Sequence, residues 1–298
     1  MRGRGIAAAA AVVGVAALSV AQGAQATYPG RNGKFALEIT GAGNSSIVFD
    51  GISTIPQAST ANCRGSDQAG GTSCSIGRIS FSPDGRTLAA ERNGAEAQLE
   101  LVNANGKDVR FLARLTANDS QPAFLPGGKS LVFTGKAHGK SNLYTVRLDG
   151  TGLKQLTTGG GSWAAPCANG TIVFLRSSAL YIVKSDGTGL RRLVARRVHT
   201  PDCSPNSQTI IYDAGRQFAT VPTAGGKVTT LRAGGQNPVF SPDGTRFAYV
   251  GNAAGPGGNM VTDVWIASLT GKTLRRFEVA DLVITGVGNT LDWGPKPS

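Results

Sequence analysis

A proline turn that recurs about every 40 residues is the feature that most restricts the fold of this chain. In each copy a pair of residues leads into the turn, and a short apolar segment follows it. Two copies share the sequence Phe-Ser-Pro-Asp-Gly, at residues 81–85 and 240–244. Four weaker copies keep the proline, and they are Phe124-Leu125-Pro126, Ala164-Ala165-Pro166, Cys203-Ser204-Pro205 and Trp293-Gly294-Pro295. Such a repeat is typical of a propeller, in which each repeat is one four-stranded blade.

The segments around each turn predict four strands per repeat, named A to D from the central axis outward. Strand A ends at the turn, because proline fixes φ and the Asp-Gly pair after it tolerates positive φ. Aromatic and β-branched residues then mark strands B and C. Strand B is predicted at 88–90, 131–133, 172–174, 210–212 and 247–249, and strand C at 99–102, 143–146, 180–183, 218–221 and 264–267. The copy with Pro166 has one more residue before the end of strand B, which predicts an insertion.

Five repeats are complete, and a sixth is divided between the two ends of the sequence. A strand B over 35–37 has no strand A before it, whereas Trp293 ends a strand A that nothing follows. We therefore predict an all-β fold, a six-bladed β-propeller closed by pairing of the N- and C-terminal strands. The predicted domain covers 27–298, with blades at 30–55 plus 289–298, 78–115, 120–157, 161–194, 199–232 and 236–280.

The first 26 residues have the pattern of a signal peptide. Arg2 and Arg4 precede an uncharged apolar run from Ile6 to Val20, and Ala24-Gln25-Ala26 fits an Ala-x-Ala cleavage site. The run is short for a membrane span, so we expect a secreted or periplasmic protein of the cell envelope without an integral membrane segment. An uncleaved leader that acts as an anchor is the alternative.

Net charge favours anionic surroundings. Removal of the leader leaves 28 basic and 18 acidic residues, a net charge of +10. Such a charge suits an anionic envelope polymer, a glycan or lipid headgroups. We expect an envelope protein or anionic envelope polymer as partner, no nucleic acid, and a monomer.

The four cysteines suit an oxidising compartment. They allow three disulfide connectivities. Cys63 and Cys74 share one Gly/Ser-rich loop and are expected to bond to each other. Cys167 and Cys203 would then join two adjacent repeats. Free buried thiols are the alternative.

Several motifs resemble those of the TolB-like six-bladed β-propellers. They are the Phe-Ser-Pro-Asp-Gly turns, the pattern LYxVxxDGTGLxxL, which occurs at 143–156 and again at 180–193, and the segment YPGRNGKFAL at 28–37. The resemblance covers nearly all of the chain after the leader. It implies the propeller fold without the separate N-terminal α/β domain of TolB itself, and it leaves the biological role open.

Catalytic motifs are scarce, and we expect no enzyme activity, no metal and no cofactor. The chain has two histidines, His138 and His199, and no GxSxG, HExxH or Gly-rich phosphate loop. Four acidic residues lie in predicted turns, and we interpret them as turn formers. They are Asp84, Asp149, Asp186 and Asp243. The alternative is a hydrolase or lyase that acts on a polysaccharide or peptide at the channel mouth.

The two faces of a propeller differ in their connections. We call the face with the D-to-A and B-to-C connections the loop face, and the face with the A-to-B and C-to-D turns the turn face. Irregular loops, which often carry function, fall on the loop face. The predicted ligand-binding residues there are Lys136, His138, Lys140, Arg176, Arg196, Arg197, His199, Arg216 and Arg232. Trp163 and Trp293 are predicted in or near strand A, where they pack between blades or line the channel.

Overall fold

The computed structural model describes strands joined by turns and short connections. It describes residues 32–41, 44–49, 53–54, 75–93, 97–104, 108–112, 115–116, 118–137, 139–195, 197–254, 260–277 and 286–296. Twenty-four strands fall within these ranges, in six four-stranded sheets. The predicted all-β propeller fold is confirmed. The predicted leader and the Cys63 to Cys74 loop lie outside the described residues.

Five blades are each formed by four consecutive antiparallel strands. The first two blades contain β4 (Ser75–Phe81), β5 (Thr87–Asn93), β6 (Gln98–Asn103) and β7 (Arg110–Phe111), then β8 (Asp119–Phe124), β9 (Ser130–Ala137), β10 (Lys140–Arg147) and β11 (Lys154–Gln155). The next two contain β12 (Ser162–Pro166), β13 (Thr171–Arg176), β14 (Ala179–Lys184) and β15 (Arg191–Val194), then β16 (His199–Cys203), β17 (Thr209–Asp213), β18 (Phe218–Pro222) and β19 (Thr229–Thr230). The last contains β20 (Gln236–Phe240), β21 (Arg246–Ala254), β22 (Met260–Ser268) and β23 (Thr273–Phe277).

The remaining sheet combines strands from both ends of the described chain. Its order is β24 (Gly286–Pro295), β1 (Asn32–Gly41), β2 (Asn44–Phe49) and β3 (Ser53–Thr54). β24 pairs antiparallel with β1, with Leu37 opposite Leu291. The innermost strands contact one another in the cyclic order β24, β4, β8, β12, β16, β20 and back to β24.

Hydrogen bonds within the turn explain why the proline repeat recurs. The Ser241 hydroxyl donates to Asp243 Oδ1 at 2.6 Å and accepts the Arg246 N–H at 3.0 Å, while Gly244 has a φ of 69°. Ser82 and Asp84 make the same hydroxyl-to-carboxylate bond, also at 2.6 Å. Turn residues with side-chain acceptors and a left-handed glycine are favoured for this reason. The prediction that these acids form turns is confirmed.

Two further acids have the same role on the turn face. Asp149 accepts the N–H and the hydroxyl of Thr151, and Asp186 accepts the same two groups of Thr188. These hydrogen bonds lower the pKa of both carboxyls below the ordinary value. The interpretation of Asp149 and Asp186 as turn formers is also confirmed.

The copy with Pro166 differs from the prediction. Pro166 is the last residue of β12 and pairs with Ile172, as Phe240 pairs with Phe247 in the last blade. The turn itself begins at Cys167, whose N–H donates to Thr171. This turn is one residue shorter than the others, so the predicted insertion is wrong. A proline at the end of an edge strand, where no ladder N–H is needed, misled the alignment.

The apolar core lies between adjacent blades. The Phe218 ring of one blade packs edge-on against Phe247 and Tyr249 of the next, at centroid distances of 5.7 and 5.1 Å. Both phenylalanines are fully buried. Burial of one such side chain contributes about 1.5–3 kcal/mol. Ala36 of β1 belongs to a buried apolar cluster with Ile79 and Leu88 of the blade β4–β7.

A disulfide and several hydrogen bonds also connect neighbouring blades. A disulfide joins Cys167 to Cys203, as predicted, with Cα atoms 5.4 Å apart. On the outer strands, three cations each donate to a backbone carbonyl of the next blade. These are Arg110 to Leu148 at 2.7 Å, Lys154 to Asp186 at 3.2 Å and Arg191 to Thr223 at 2.5 Å. Part of the basic charge is therefore used for scaffold contacts.

Candidate ligand site in the central channel

The innermost strand of each of the five blades formed by consecutive strands has one extra residue, at the same place in four of them and one residue earlier in β4. His199 pairs with Asp213 and Asp202 pairs with Ile211, so three steps along β16 oppose two along β17. The same one-residue bulge occurs in β4, β8, β12 and β20. Bulges redirect side chains and are over-represented beside functional sites. The fold therefore repeats one unusual position around the axis.

Each bulge contains a polar or aromatic residue three positions before the last residue of its strand. These residues are Arg78, Gln121, Trp163, Thr200 and Asn237. All except Arg78 have a positive φ, between 37° and 54°. Non-glycine residues in this conformation are uncommon, and each costs about 1–3 kcal/mol unless the residue tolerates it, as asparagine does.

A second proline spacing in the sequence, not used in the predictions above, marks three of the five bulges. Pro122, Pro201 and Pro238 each follow a bulge residue and lie four positions before the turn prolines Pro126, Pro205 and Pro242. Proline inside a strand is confined to edges and bulges, because it has no N–H for the ladder. The paired prolines could have located the bulges.

Four of the five bulge residues line a cavity that all six innermost strands surround. They are Arg78, Trp163, Thr200 and Asn237. Three buried polar atoms among them have no hydrogen-bond partner in the protein, namely Arg78 Nη1, Thr200 Oγ1 and Asn237 Nδ2. Asn237 is only 6% exposed. Buried polar atoms are nearly always bonded, so these three need a partner from outside the chain.

Three charged groups give the cavity a mixed electrostatic character. Asp202 and Asp292 line it together with Arg78. Burial lowers the pKa of Arg78, and the charges of Asp202, Asp292 and Glu91 oppose that shift. The Arg78 guanidinium carbon also lies 5.4 Å from the centroid of the Trp163 ring. A cation held this way is desolvated, so any hydrogen bond to it is strong.

The two carboxylates also connect innermost strands. Asp292 Oδ2 accepts the Phe81 N–H at 2.6 Å, and Asp202 Oδ2 accepts the Phe240 N–H at 2.8 Å. Burial raises the pKa of Asp292 to about 6, although these backbone bonds and Arg78 favour its charged form. A carboxyl with a raised pKa in a cavity is a candidate functional group.

Most of the loop-face residues predicted to bind ligand are exposed. Lys136, Lys140 and Arg216 lie in or beside the B-to-C hairpins, and Arg197 and His199 lead into β16. They lie at the end of the blades where the innermost strands begin. His138 and Arg196 lie outside the described residues. Whether the exposed group binds a ligand stays a prediction.

Two members of the predicted set have other surroundings. Arg176 donates through Nε to the Gly160 carbonyl at 3.0 Å, and its guanidinium carbon lies 5.1 Å from the Tyr181 ring centroid. The backbone of Arg232 lies against Gly271, in the C-to-D turn of the next blade. The connection that contains Arg232 also approaches the B-to-C hairpin, because Gly234 lies against the carbonyl oxygen of Arg216. No sequence signal distinguished Arg176 from its exposed neighbours.

The geometry defines a β-propeller with a cavity among its innermost strands, lined by both polar and apolar residues. Residues 42–222 match the family model described as TolB beta propeller domain, so the chain belongs to this family. No helix within the described ranges has the length and apolar character that crossing a membrane requires.

Several solved structures are similar. TolB from Acinetobacter baumannii is 18% identical with a TM-score of 0.70, over 89% of this chain and 67% of that one. Putative TolB from Agrobacterium tumefaciens is 16% identical with a TM-score of 0.63, over 88% and 99%. A chain of the nidogen/laminin complex is 13% identical with a TM-score of 0.62, over 87% and 97%. At these identities the likeness shows the fold alone.

Proposed function

We propose that this protein is an exported, non-catalytic propeller that binds a protein or an anionic cell-envelope ligand. The ligand contacts the loop face and enters the mouth of the central channel. The observation that carries the proposal is the set of three buried, unpartnered polar atoms in the cavity, on Arg78, Thr200 and Asn237. Leaving a buried polar group unpaired costs about 1–3 kcal/mol, which a ligand would recover.

We also propose that the sheet of β24, β1, β2 and β3 is a sixth blade that closes the ring. The cyclic contacts of the innermost strands support this closure. Asn32 supports it as well, because its side-chain amide exchanges two hydrogen bonds with Asp243 of the neighbouring blade, at 2.7 and 3.1 Å. Closure packs each blade between two neighbours, so that no blade leaves an apolar face uncovered.

The alternative function is a hydrolase or lyase that acts on a polysaccharide or peptide. Its support is the presence of two carboxylates, Asp202 and Asp292, in one cavity. Each of them already accepts a backbone N–H of a neighbouring strand, which gives it a structural purpose. We therefore favour binding over catalysis.

Retention on an anionic polymer resin, such as immobilised dextran sulfate, tests the loop-face part of the proposal. The double variant Lys140→Ala and Arg216→Ala removes two exposed cations from the hairpins. The matched control, Lys227→Ala and Lys272→Ala, removes the same charge from exposed turn-face positions. We expect the hairpin variant to elute at clearly lower salt than the control. Equal elution of the two variants would mean that net charge alone causes retention.

A further inference from the structure

We propose that the central cavity binds a neutral sugar unit, through Arg78, Thr200, Asn237 and Asp202. This inference rests on the proposed function, because it names the chemical group of an envelope glycan that enters the channel. The charged parts of such a glycan would meet the cations of the loop face. The sugar itself would satisfy the polar atoms that the fold leaves without partners.

The unpartnered atoms first define what the ligand must supply. Arg78 Nη1 and Asn237 Nδ2 can only donate, and the Thr200 hydroxyl can donate or accept. The ligand therefore needs at least two acceptor oxygens close together. Because the bulges fix all three residues on innermost strands, these atoms are held in place before the ligand arrives.

The charges of the cavity then restrict the class of ligand. Asp202 and Asp292 line the same space, and both act on Arg78 electrostatically. An anionic ligand would bond to Arg78 but would be repelled by the two carboxylates. A hydroxyl group accepts from a guanidinium or amide and donates to a carboxylate. A neutral ligand with several adjacent hydroxyls fits this mixture of donors and acceptors.

Size and wall composition agree with one sugar ring. The cavity offers about 60 Å³ to the centres of water molecules. Since one water needs about 10–15 Å³ on this measure, there is room for roughly four to six waters. A single hexose ring displaces a similar number. Trp163 and Trp293 form part of the wall, and aromatic surfaces suit the C–H faces of a sugar.

Binding can be measured with defined small molecules on the full chain without its leader. The probes are glucose, galactose, mannose, arabinose and N-acetylglucosamine, with acetate and glycine at equal concentration as anionic and zwitterionic controls. Calorimetry and tryptophan fluorescence are suitable, because two of the three tryptophans line the cavity. We expect at least one sugar to bind at millimolar concentration and to change the fluorescence, with neither control competing. Binding of acetate or glycine would overturn the proposal. So would the absence of binding by every sugar up to about 50 mM, near the weakest affinity that can be measured.

Two variants test the residues. Thr200→Val keeps the shape and removes only the hydroxyl, and Asn237→Asp keeps the shape while replacing the amide donor. Each should weaken sugar binding about two- to tenfold, the worth of one hydrogen bond. Unchanged affinity in Thr200→Val would contradict the assignment even if Asn237→Asp failed to fold. The hairpin variant Lys140→Ala and Arg216→Ala should keep full sugar affinity, so failure of the sugar site and failure of polymer binding give different results.

Discussion

The turns of the turn face and the bulges of the central cavity use similar polar residues in opposite ways. In a turn, the Ser241 hydroxyl and the Asp243 carboxylate bond to each other and to backbone N–H groups. In the cavity, the Thr200 hydroxyl and the Asn237 amide nitrogen have no partner in the protein. Polar groups with complete hydrogen bonding stabilise a fold, whereas buried groups without partners do not. The comparison separates the scaffold from the candidate site.

Two aspartates show the same contrast in their pKa values. Desolvation opposes ionisation of Asp243, yet hydrogen bonds from Ser241, Thr245 and Asn32 lower its pKa to about 2. Burial dominates at Asp292 and raises its pKa to about 6. Asp243 therefore stabilises the fold as a carboxylate, and Asp292 costs stability when it is charged.

Removal of the disulfide should have the largest effect. Cys167→Ala with Cys203→Ala opens a link across 36 residues, which should lower the free energy of unfolding by about 4 kcal/mol. Urea unfolding of the variant and of the oxidised protein measures this. The cysteines adjoin Pro166 and Asp202, which line the cavity. If stability did not change, the bond would not be part of the scaffold.

The pH dependence at Asp292 should have the next largest effect. Its pKa is about 6 in the folded protein against 3.8 ordinarily, so ionisation costs stability progressively from pH 4 to 6 and by a constant amount above. Relative to Asp292→Asn, the native protein should lose up to about 3 kcal/mol over that range. Unfolding free energies at pH 4, 5, 6 and 7 give the result.

Asp243→Asn provides the opposite control. Because the folded pKa of Asp243 is lowered, its contribution is present above pH 4 and is lost as pH falls towards 2. The quantity to compare is the difference in unfolding free energy between the native protein and each variant. If this difference changed in the same direction for both variants between pH 4 and 6, the contrast between the two aspartates would be wrong.

A smaller effect is expected for the turn acid Asp84. Asp84→Ala removes the acceptor for the Ser82 hydroxyl and the Arg86 N–H, and the Tm and unfolding free energy should fall by about 1 kcal/mol. Asp84→Asn should retain most of the stability. The chain itself supports this control, because Asn206 accepts the equivalent hydroxyl and N–H bonds in its own turn. Equal losses in both variants would show that charge, not hydrogen bonding, matters there.

The sequence predicted the scaffold better than the site, and the physical reason lies in the range of the interactions. Turn residues such as Ser82 and Asp84 bond within five positions, so their pattern is local and repeats visibly. The cavity unites Arg78, Thr200 and Asn237, which are far apart in sequence and whose chemistry differs from blade to blade. The only repeated signal is the proline that follows Thr200 and Asn237. The shorter turn at Cys167 was missed because Pro166 occupied the place of an apolar residue.

Paired substitution of one hydroxyl in each region tests the comparison most directly. Ser241→Ala removes a hydroxyl with two good hydrogen bonds, and Thr200→Val removes one with none. In urea unfolding we expect Ser241→Ala to lose about 1–2 kcal/mol, whereas Thr200→Val should lose nothing and can gain up to about 1–3 kcal/mol, because an unpaired buried hydroxyl is costly. A loss in Thr200→Val as large as that in Ser241→Ala would contradict the account, because the cavity hydroxyl would then belong to the scaffold.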